Sequence, residues 1–305
     1  MFRRILLPLD GSRMAESAIP AAKSIAAEFG SVVTLIHLLE RNAPNSVHGE
    51  RHLRSAAEAE DYLSDISRRC FGDAVEVEIH VHAEEVRDVP GGLKEHSEEL
   101  AQDLIVMSVH GSEGLKGTVL GNIAERIVSL QTVPVLLVKP DEPTAVSFRN
   151  ILVAIDGNPE HEASVPIAEA IARQSKAKIG LVTVVPSWGA LKGTGRVADI
   201  FLPMASSAAS AEAEQDAREH LADIEKRLRA SGVDSHFTVR RGDPARKIAK
   251  LAREESVDLV VLGTHGKTGM KAFWAGSEAG KIVDRLKTPA LLVPSQGQGP
   301  ASREE

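Results

Sequence analysis

"FRRILLPLDGS", Phe2 to Ser12, returns later in the chain as "FRNILVAIDGN", Phe148 to Asn158. In both, a short apolar run ends in Asp-Gly, which reads as a strand followed by a tight turn. Two further blocks recur in the same order. "DLIVMSVHG" at Asp103 to Gly111 matches "DLVVLGTHG" at Asp258 to Gly266, and "TVPVLLVKP" at Thr132 to Pro140 matches "KTPALLVPS" at Lys287 to Ser295. Repetition on this scale means two copies of one folding unit. The expected domains are residues 1–140 and 148–295, joined by a linker at 141–147 inside the Pro-rich "KPDEPTAVS" and followed by a flexible tail at 296–305.

Outward from the first block, the periodicity switches. Ala18, Ile19, Ala22, Ile25 and Ala26 follow a helical spacing that Gly30 closes, before a β-branched run from Val32 to Leu39. The second copy repeats this with a strand at Ile151 to Ile155, a helix from about Ala163 to Gln174 and a strand at Ile179 to Val185. There a further helix is marked by Ala217, Leu221, Ile224 and Leu228, with Gly232 as its stop. "HFTVRRG", "PARKIAKLAREES", "DLVVLG", "AGKIVDRL" and "ALLVP" then alternate strand and helix. Continuously apolar strands separated by helices belong to a parallel sheet covered on both faces. The expected fold is α/β: two tandem doubly wound sandwiches, each with a mainly parallel five-stranded sheet of Rossmann-like type. In such sheets a ligand binds beyond the carboxyl ends of the strands.

Composition narrows the partners. The chain has 305 residues, a formal net charge of -7 and only 3% aromatic residues, so its cores are built from Val, Ile, Leu and Ala. That charge argues against a general nucleic-acid binder. Cys70 is the single cysteine, which rules out an intrachain disulfide and fits a reducing compartment. "MFRRILLPLDGS" is too short in its apolar run for a signal segment, and no stretch is long and apolar enough to span a bilayer. A cytoplasmic protein without a membrane anchor is the expectation.

The stretch "GTHGKTGMKAFWAGS", Gly263 to Ser277, contains a Gly-Lys-Thr and invites a P-loop reading. A P-loop needs glycine five residues before that tripeptide's glycine. Position 261 is Val261, inside the strand, so the P-loop reading fails. The pattern present is Gly263, two residues, Gly266, nine residues, then Gly276-Ser277. The first two glycines allow a sharp turn after the strand and expose backbone N–H groups. Gly276-Ser277 opens a helix whose free N–H groups and dipole attract phosphate, and Ser277 can cap it.

With "DLVVLG" before it and "KIVDRLKTPALLV" after it, this motif resembles that of the universal stress protein family, in the branch that binds ATP. The resemblance covers both repeats. It implies the adenine nucleotide alpha-hydrolase type of sheet and a site in the second domain. Ala154, Ile155 and Asp156 would end the first strand there, with Asp156 contacting the nucleoside. Ile179 would present backbone to adenine, and Leu262, Gly263, His265, Gly266, Gly276, Ser277 and Glu278 would surround the phosphates. It further implies Mg2+ or Mn2+ bridging the phosphates, and pairing through the last strands, either within the chain or in a homodimer.

The first copy reads Ser108-Val109-His110-Gly111, nine residues, Gly121-Asn122. Asp10, Gly111 and Gly121 remain and Val33 stands at the adenine position, while Ser108 replaces the first glycine and Asn122, which can still cap a helix, replaces the final serine. A competent second site and a weak or empty first one are expected. His80 and His82 alternate on a strand as a possible metal pair, but two histidines do not make a site, and no metal is assigned to the chain's own side chains. No residue stands out as a dedicated catalytic base or arginine finger. The leading function is therefore a nucleotide-binding stress-response regulator with protein partners still to be identified. A slow ATPase or nucleotidyl-transfer enzyme, and a non-nucleotide interaction scaffold, are the alternatives.

Overall fold

In a computed structural model of the chain, the residues described are 1–41, 46–47, 50–51, 53–109, 122–140, 145–157, 162–185, 203–264 and 278–294. The first domain runs β1 (Arg4–Pro8), α1 (Arg13–Glu16), α2 (Ile19–Phe29), β2 (Val32–Glu40), a small hairpin of β3 (Ser46–Val47) and β4 (Glu50–Arg51), then α3 (Ala56–Ile66). It continues with β5 (Val77–Val86), α4 (Val89–Glu99), β6 (Leu104–Ser108), α5 (Asn122–Leu130) and β7 (Val135–Val138). The second comprises β8 (Asn150–Ala154), α6 (Ser164–Ser175), β9 (Lys178–Val185), α7 (Pro203–Ala230), β10 (Ser235–Arg241), α8 (Pro244–Glu254), β11 (Leu259–Thr264), α9 (Glu278–Arg285) and β12 (Ala290–Pro294).

Local chemistry sets several of these boundaries. Gly30 ends α2 in the left-handed conformation (φ 66°) and turns the chain into β2. The same turn after α6 is made by Lys176 at φ 54°, a conformation that is costlier with a Cβ. One device is used twice to start the sheets. Asp103 accepts from the backbone N–H groups of Arg3 (2.8 Å) and Arg4 (3.1 Å), and Asp258 from those of Arg149 (3.0 Å) and Asn150 (2.9 Å). Each carboxylate ties the amino end of its domain's first strand to the start of the fourth.

Within each domain five strands pair in parallel, in the order β7-β6-β1-β2-β5 and β10-β9-β8-β11-β12. The first strand of each domain sits in the middle, and the order reverses beside it, between β1 and β6 and between β8 and β11. The two sheets join edge to edge through β7 and β12, which pair antiparallel with Leu136 opposite Leu291. A single ten-stranded sheet results, with β5 and β10 as its outer edges. The last strands thus pair within the chain, as the family resemblance allowed.

Both faces of this sheet are covered. Ile5, Leu7, Val33, Leu35, Ile151, Val153 and Leu181 pack under α2, α3, α6 and α7, while Leu6, Ile36, Leu38, Leu152 and Val182 pack under α4, α5, α8 and α9. Strand alternation sends neighbouring residues to opposite helix layers, which is why these strands read as unbroken apolar runs. The first core crosses the domain boundary. Phe29 stacks edge-on against Phe2 and Phe148, with ring centroids 5.6 and 5.4 Å away, a favoured aromatic geometry. No helix of the described residues is long and apolar enough to cross a membrane.

Candidate functional site

The crevice of a doubly wound sheet opens where the strand order reverses, at the carboxyl ends of the strands. In the second domain that point lies between β8 and β11. Ala154 ends β8 and pairs with Leu262 of β11, while Gly263 and Thr264 stay in β11, paired with Val293 and Pro294 of β12; Asp156 thus leaves β8 beside the end of β11. The Ile155 N–H donates to the carbonyl of Val182 (2.9 Å), and the Ile155 carbonyl accepts from the Thr183 hydroxyl at 2.8 Å. Both backbone groups of Ile155 are thereby fixed, and the chain turns at Gly157, whose φ of 82° favours glycine. Asp156 and Gly157 are exposed, and a Cβ placed on Gly157 would meet no described atom within 4 Å.

Leu262 is buried, Gly263 is half-buried, and the Thr264 hydroxyl donates to the carbonyl of Val293 at 3.2 Å. Those contacts hold the end of β11 against β12. Glu278 is the first residue of α9. His265, Gly266, Gly276 and Ser277, and the glycine-containing loop after β9, lie outside the described residues. Among the described candidates, the structure brings together Ala154, Ile155, Asp156, Leu262 and Gly263.

It does not bring Ile179 to them. Ile179 pairs with Ile151 at the amino end of the sheet, is fully buried, and donates its N–H to the carbonyl of Asp234. Val33 is placed the same way, paired with Ile5 and donating to the Glu76 carbonyl. In a parallel sheet the residue that opens a strand faces away from the crevice, so these two backbones are committed elsewhere. The residue of β9 that reaches the carboxyl edge is Val185, beside Arg241 of β10. The signal that would have found it is strand direction: parallel pairing puts the last residue of β9, not the first, next to the switch point.

In the first domain the corresponding edge is filled. Asp10 is half-buried and accepts from both the Ser12 N–H (2.9 Å) and the Ser12 hydroxyl (2.6 Å). Ser12 in turn caps α1 by accepting from Ala15 N–H at 3.2 Å. Ser108, the counterpart of Gly263, donates its hydroxyl to the Met14 carbonyl of α1 at 2.5 Å. Leu53 packs on the turn at Gly11, where an added Cβ would lie 3.0 Å from its Cγ. Glu16 accepts from the Tyr62 hydroxyl at 3.1 Å and lies 3.5 Å from Arg69. Burial, and then the Glu16 carboxylate, push the Tyr62 hydroxyl well above its ordinary pKa, so it stays a donor. Asn122 is the first residue of α5, while Gly111 and Gly121 lie outside the described residues.

These features define a tandem doubly wound α/β protein whose two switch points differ in their described residues. The model of the Universal stress protein family matches residues 1–139 and again 147–294, and the chain belongs to that family. Among its relatives, a universal stress protein of Mycolicibacterium smegmatis is 24% identical over 313 residues, covering 95% of this chain and 96% of its own. Universal stress protein YxiE of Bacillus subtilis is 26% identical over 150 residues, 48% of this chain and 99% of its own length. The crystal structure of a universal stress protein from Archaeoglobus fulgidus superposes with a TM-score of 0.71 at 16% identity, covering 96% of both chains. That last likeness speaks for the fold.

Proposed function

We propose that the second domain binds ATP, or a related adenine nucleotide, at the carboxyl edge between β8 and β11. The observation that supports this reading is that the exposed Asp156 follows the end of β8 at the switch point, beside the end of β11, which runs directly into the intact glycine motif in sequence. Asp156 would accept from the nucleoside's hydroxyls. The glycine turns and the start of α9 would offer backbone N–H groups to the phosphates. Val185, rather than Ile179, is the β9 backbone placed to meet the base.

The sequence after β11 suits an anionic ligand on its chemistry: its glycines carry no Cβ to block a phosphate, and α9 begins directly after the motif. A divalent ion such as Mg2+ or Mn2+ would supply charge neutralisation between the phosphates. Asp156 and Glu278 are the carboxylates of this set, so the triphosphate itself would provide most of the ion's ligands. On this reading the protein is a regulator that senses or carries the nucleotide. The filled edge of the first domain, with Ser108 bonded to Met14, favours a structural or protein-contact role for that half. A cytoplasmic setting fits the lone Cys70. Among the described strands, β5 and β10 are the outer edges of the large sheet and would be open to a homodimer or to other protein partners.

Heat-denatured extracts of purified protein, separated by HPLC, test the proposal. A co-purified adenine nucleotide, or calorimetric ATP binding that Gly276→Val abolishes, is expected. Finding neither sinks it. ATP turnover that Asp156→Asn removes while binding persists would favour the slow enzyme instead.

A further inference from the structure

Away from either switch point, the outer strand β5 and helix α4 bring three imidazoles together. His80 and His82 are two residues apart on β5 and so share a face of the sheet. In register they lie beside Ile36 and Leu38 of β2, which belong to the core under α4 together with Leu93. From α4 the buried His96 reaches the same place. Its ring centroid is 4.6 Å from that of His80 and 4.8 Å from that of His82. His96 Nε2 lies 3.0 Å from His82 Nδ1, and one ring nitrogen from each of the three histidines lies within 4.8 Å of the others.

We propose that His80, His82 and His96 form a divalent transition-metal site, best matched to Zn2+, that staples edge strand β5 to α4. A tetrahedral zinc with metal–nitrogen bonds of about 2.0–2.1 Å spaces its ligand nitrogens by about 3.4 Å, so the 3.0 Å His82–His96 pair would open slightly and the wider spacing, at most 4.8 Å, would close through small ring rotations. Hydrogen bonding alone leaves this cluster incomplete. A neutral imidazole has one donor and one acceptor, and the His82–His96 contact uses one of each. His80 Nε2 is buried with no hydrogen-bond partner, an arrangement that is costly unless something binds the nitrogen. A cation among the three rings satisfies it.

The surroundings suit a metal as well. Glu99, one turn along α4, places Oε2 3.2 Å from His96 Nδ1, on the far side of the ring from His82. The approach lacks hydrogen-bond geometry as it stands. A small rotation would make it the carboxylate behind a ligating histidine that fixes the ring and raises its basicity. Imidazole donors select zinc, copper or nickel over magnesium or calcium. Three protein ligands leave a fourth position for water.

The second domain supplies an internal control. Counting from the register of β2 with β5 and of β9 with β10, Thr238 and Arg240 occupy the places of His80 and His82. Counting back from Asp258 as from Asp103, Leu251 occupies that of His96. There Arg240 simply donates to the Thr238 hydroxyl at 2.6 Å, and Leu251 is buried in the core. The same fold is thus built without histidines at these positions. Its three-histidine version is particular to the first domain.

Tag-free full-length protein, stripped with chelator, would be titrated with ZnCl2 by calorimetry and with Co2+ by visible absorption, in the absence of nucleotide. One zinc per chain is expected, with the ligand-field bands of four- or five-coordinate cobalt. His96→Leu, which borrows the residue of the second domain, should keep the folded circular dichroism spectrum and lose the bound metal. His82→Thr should do the same, and Glu99→Gln should weaken zinc by about 10- to 100-fold. His236→Ala, in the second domain, should change nothing. Zinc should raise the melting temperature of the wild type but not of His96→Leu. Wild-type protein that takes up no saturating zinc overturns the proposal, however the variants behave. So does zinc uptake of equal stoichiometry and affinity in wild type and His96→Leu, which would mark it as surface binding only.

Discussion

The two domains share strand order, register and the Asp103/Asp258 device, yet the described residues at their carboxyl edges differ. After β1 the chain folds back over its own switch point, with Ser12 capping α1, Ser108 bonded to Met14 and Leu53 seated on Gly11. After β8 the described turn is exposed at Asp156 and Gly157. The difference comes down to a few atoms. A hydroxymethyl group at Ser108 provides the anchor for α1 that Gly263 lacks. The comparison teaches that in a duplicated sheet, one side chain at a strand end can tie the following helix to its sheet in one copy and be missing from the other.

The largest effect that could break this comparison is in nucleotide affinity. Gly276→Val should weaken ATP binding by at least about 100-fold, equivalent to about 2.7 kcal/mol, whereas Gly121→Val should leave it unchanged in the same calorimetric titration. Equal losses would mean that both edges bind. Next come the two strand-end aspartates. Asp156→Ala should cost about tenfold in ATP affinity, or about 1.4 kcal/mol, with little change in urea unfolding. Asp10→Ala should lower stability by about 1 kcal/mol through its loss to Ser12, with ATP affinity intact.

Ser108→Gly tests the anchor of α1. It should destabilise the protein by about 1 kcal/mol, the worth of one intramolecular hydrogen bond, and ATP stoichiometry should not rise while Leu53 still covers Gly11. The smallest contrast concerns helix starts. Asp243 caps α8 by accepting from Arg246 N–H at 2.7 Å, while Asp88 before α4 makes no such bond. Asp243→Ala should therefore cost about 1 kcal/mol and Asp88→Ala less, as read from denaturant midpoints.

Much of this organisation was legible in the sequence because it rests on local pattern. The repeated blocks located the two sheets, Gly30 marked a left-handed helix end, and the apolar runs announced strands buried on both faces. Asp156 was assigned through the family resemblance and does follow the end of β8; Gly263 was expected to turn the chain after its strand but lies inside β11, paired with Val293, so the strand runs one residue further than its apolar pattern suggested. Ile179 and Val33 were misplaced because periodicity finds a strand without saying which of its ends meets the crevice; parallel pairing with β8 and β1 decides that. The His80–His82 pair was visible through its alternation. His96 was not, since its approach depends on how α4 crosses β5. The Ser108–Met14 bond likewise joins residues far apart in sequence.

The most direct measurement is the number of adenine nucleotides bound per chain, by native mass spectrometry of the full-length protein with ATP and Mg2+, alongside Gly276→Val and Gly121→Val. The account predicts one nucleotide per chain, retained in Gly121→Val and absent from Gly276→Val. No bound nucleotide in the wild type, or one that survives Gly276→Val, would contradict it.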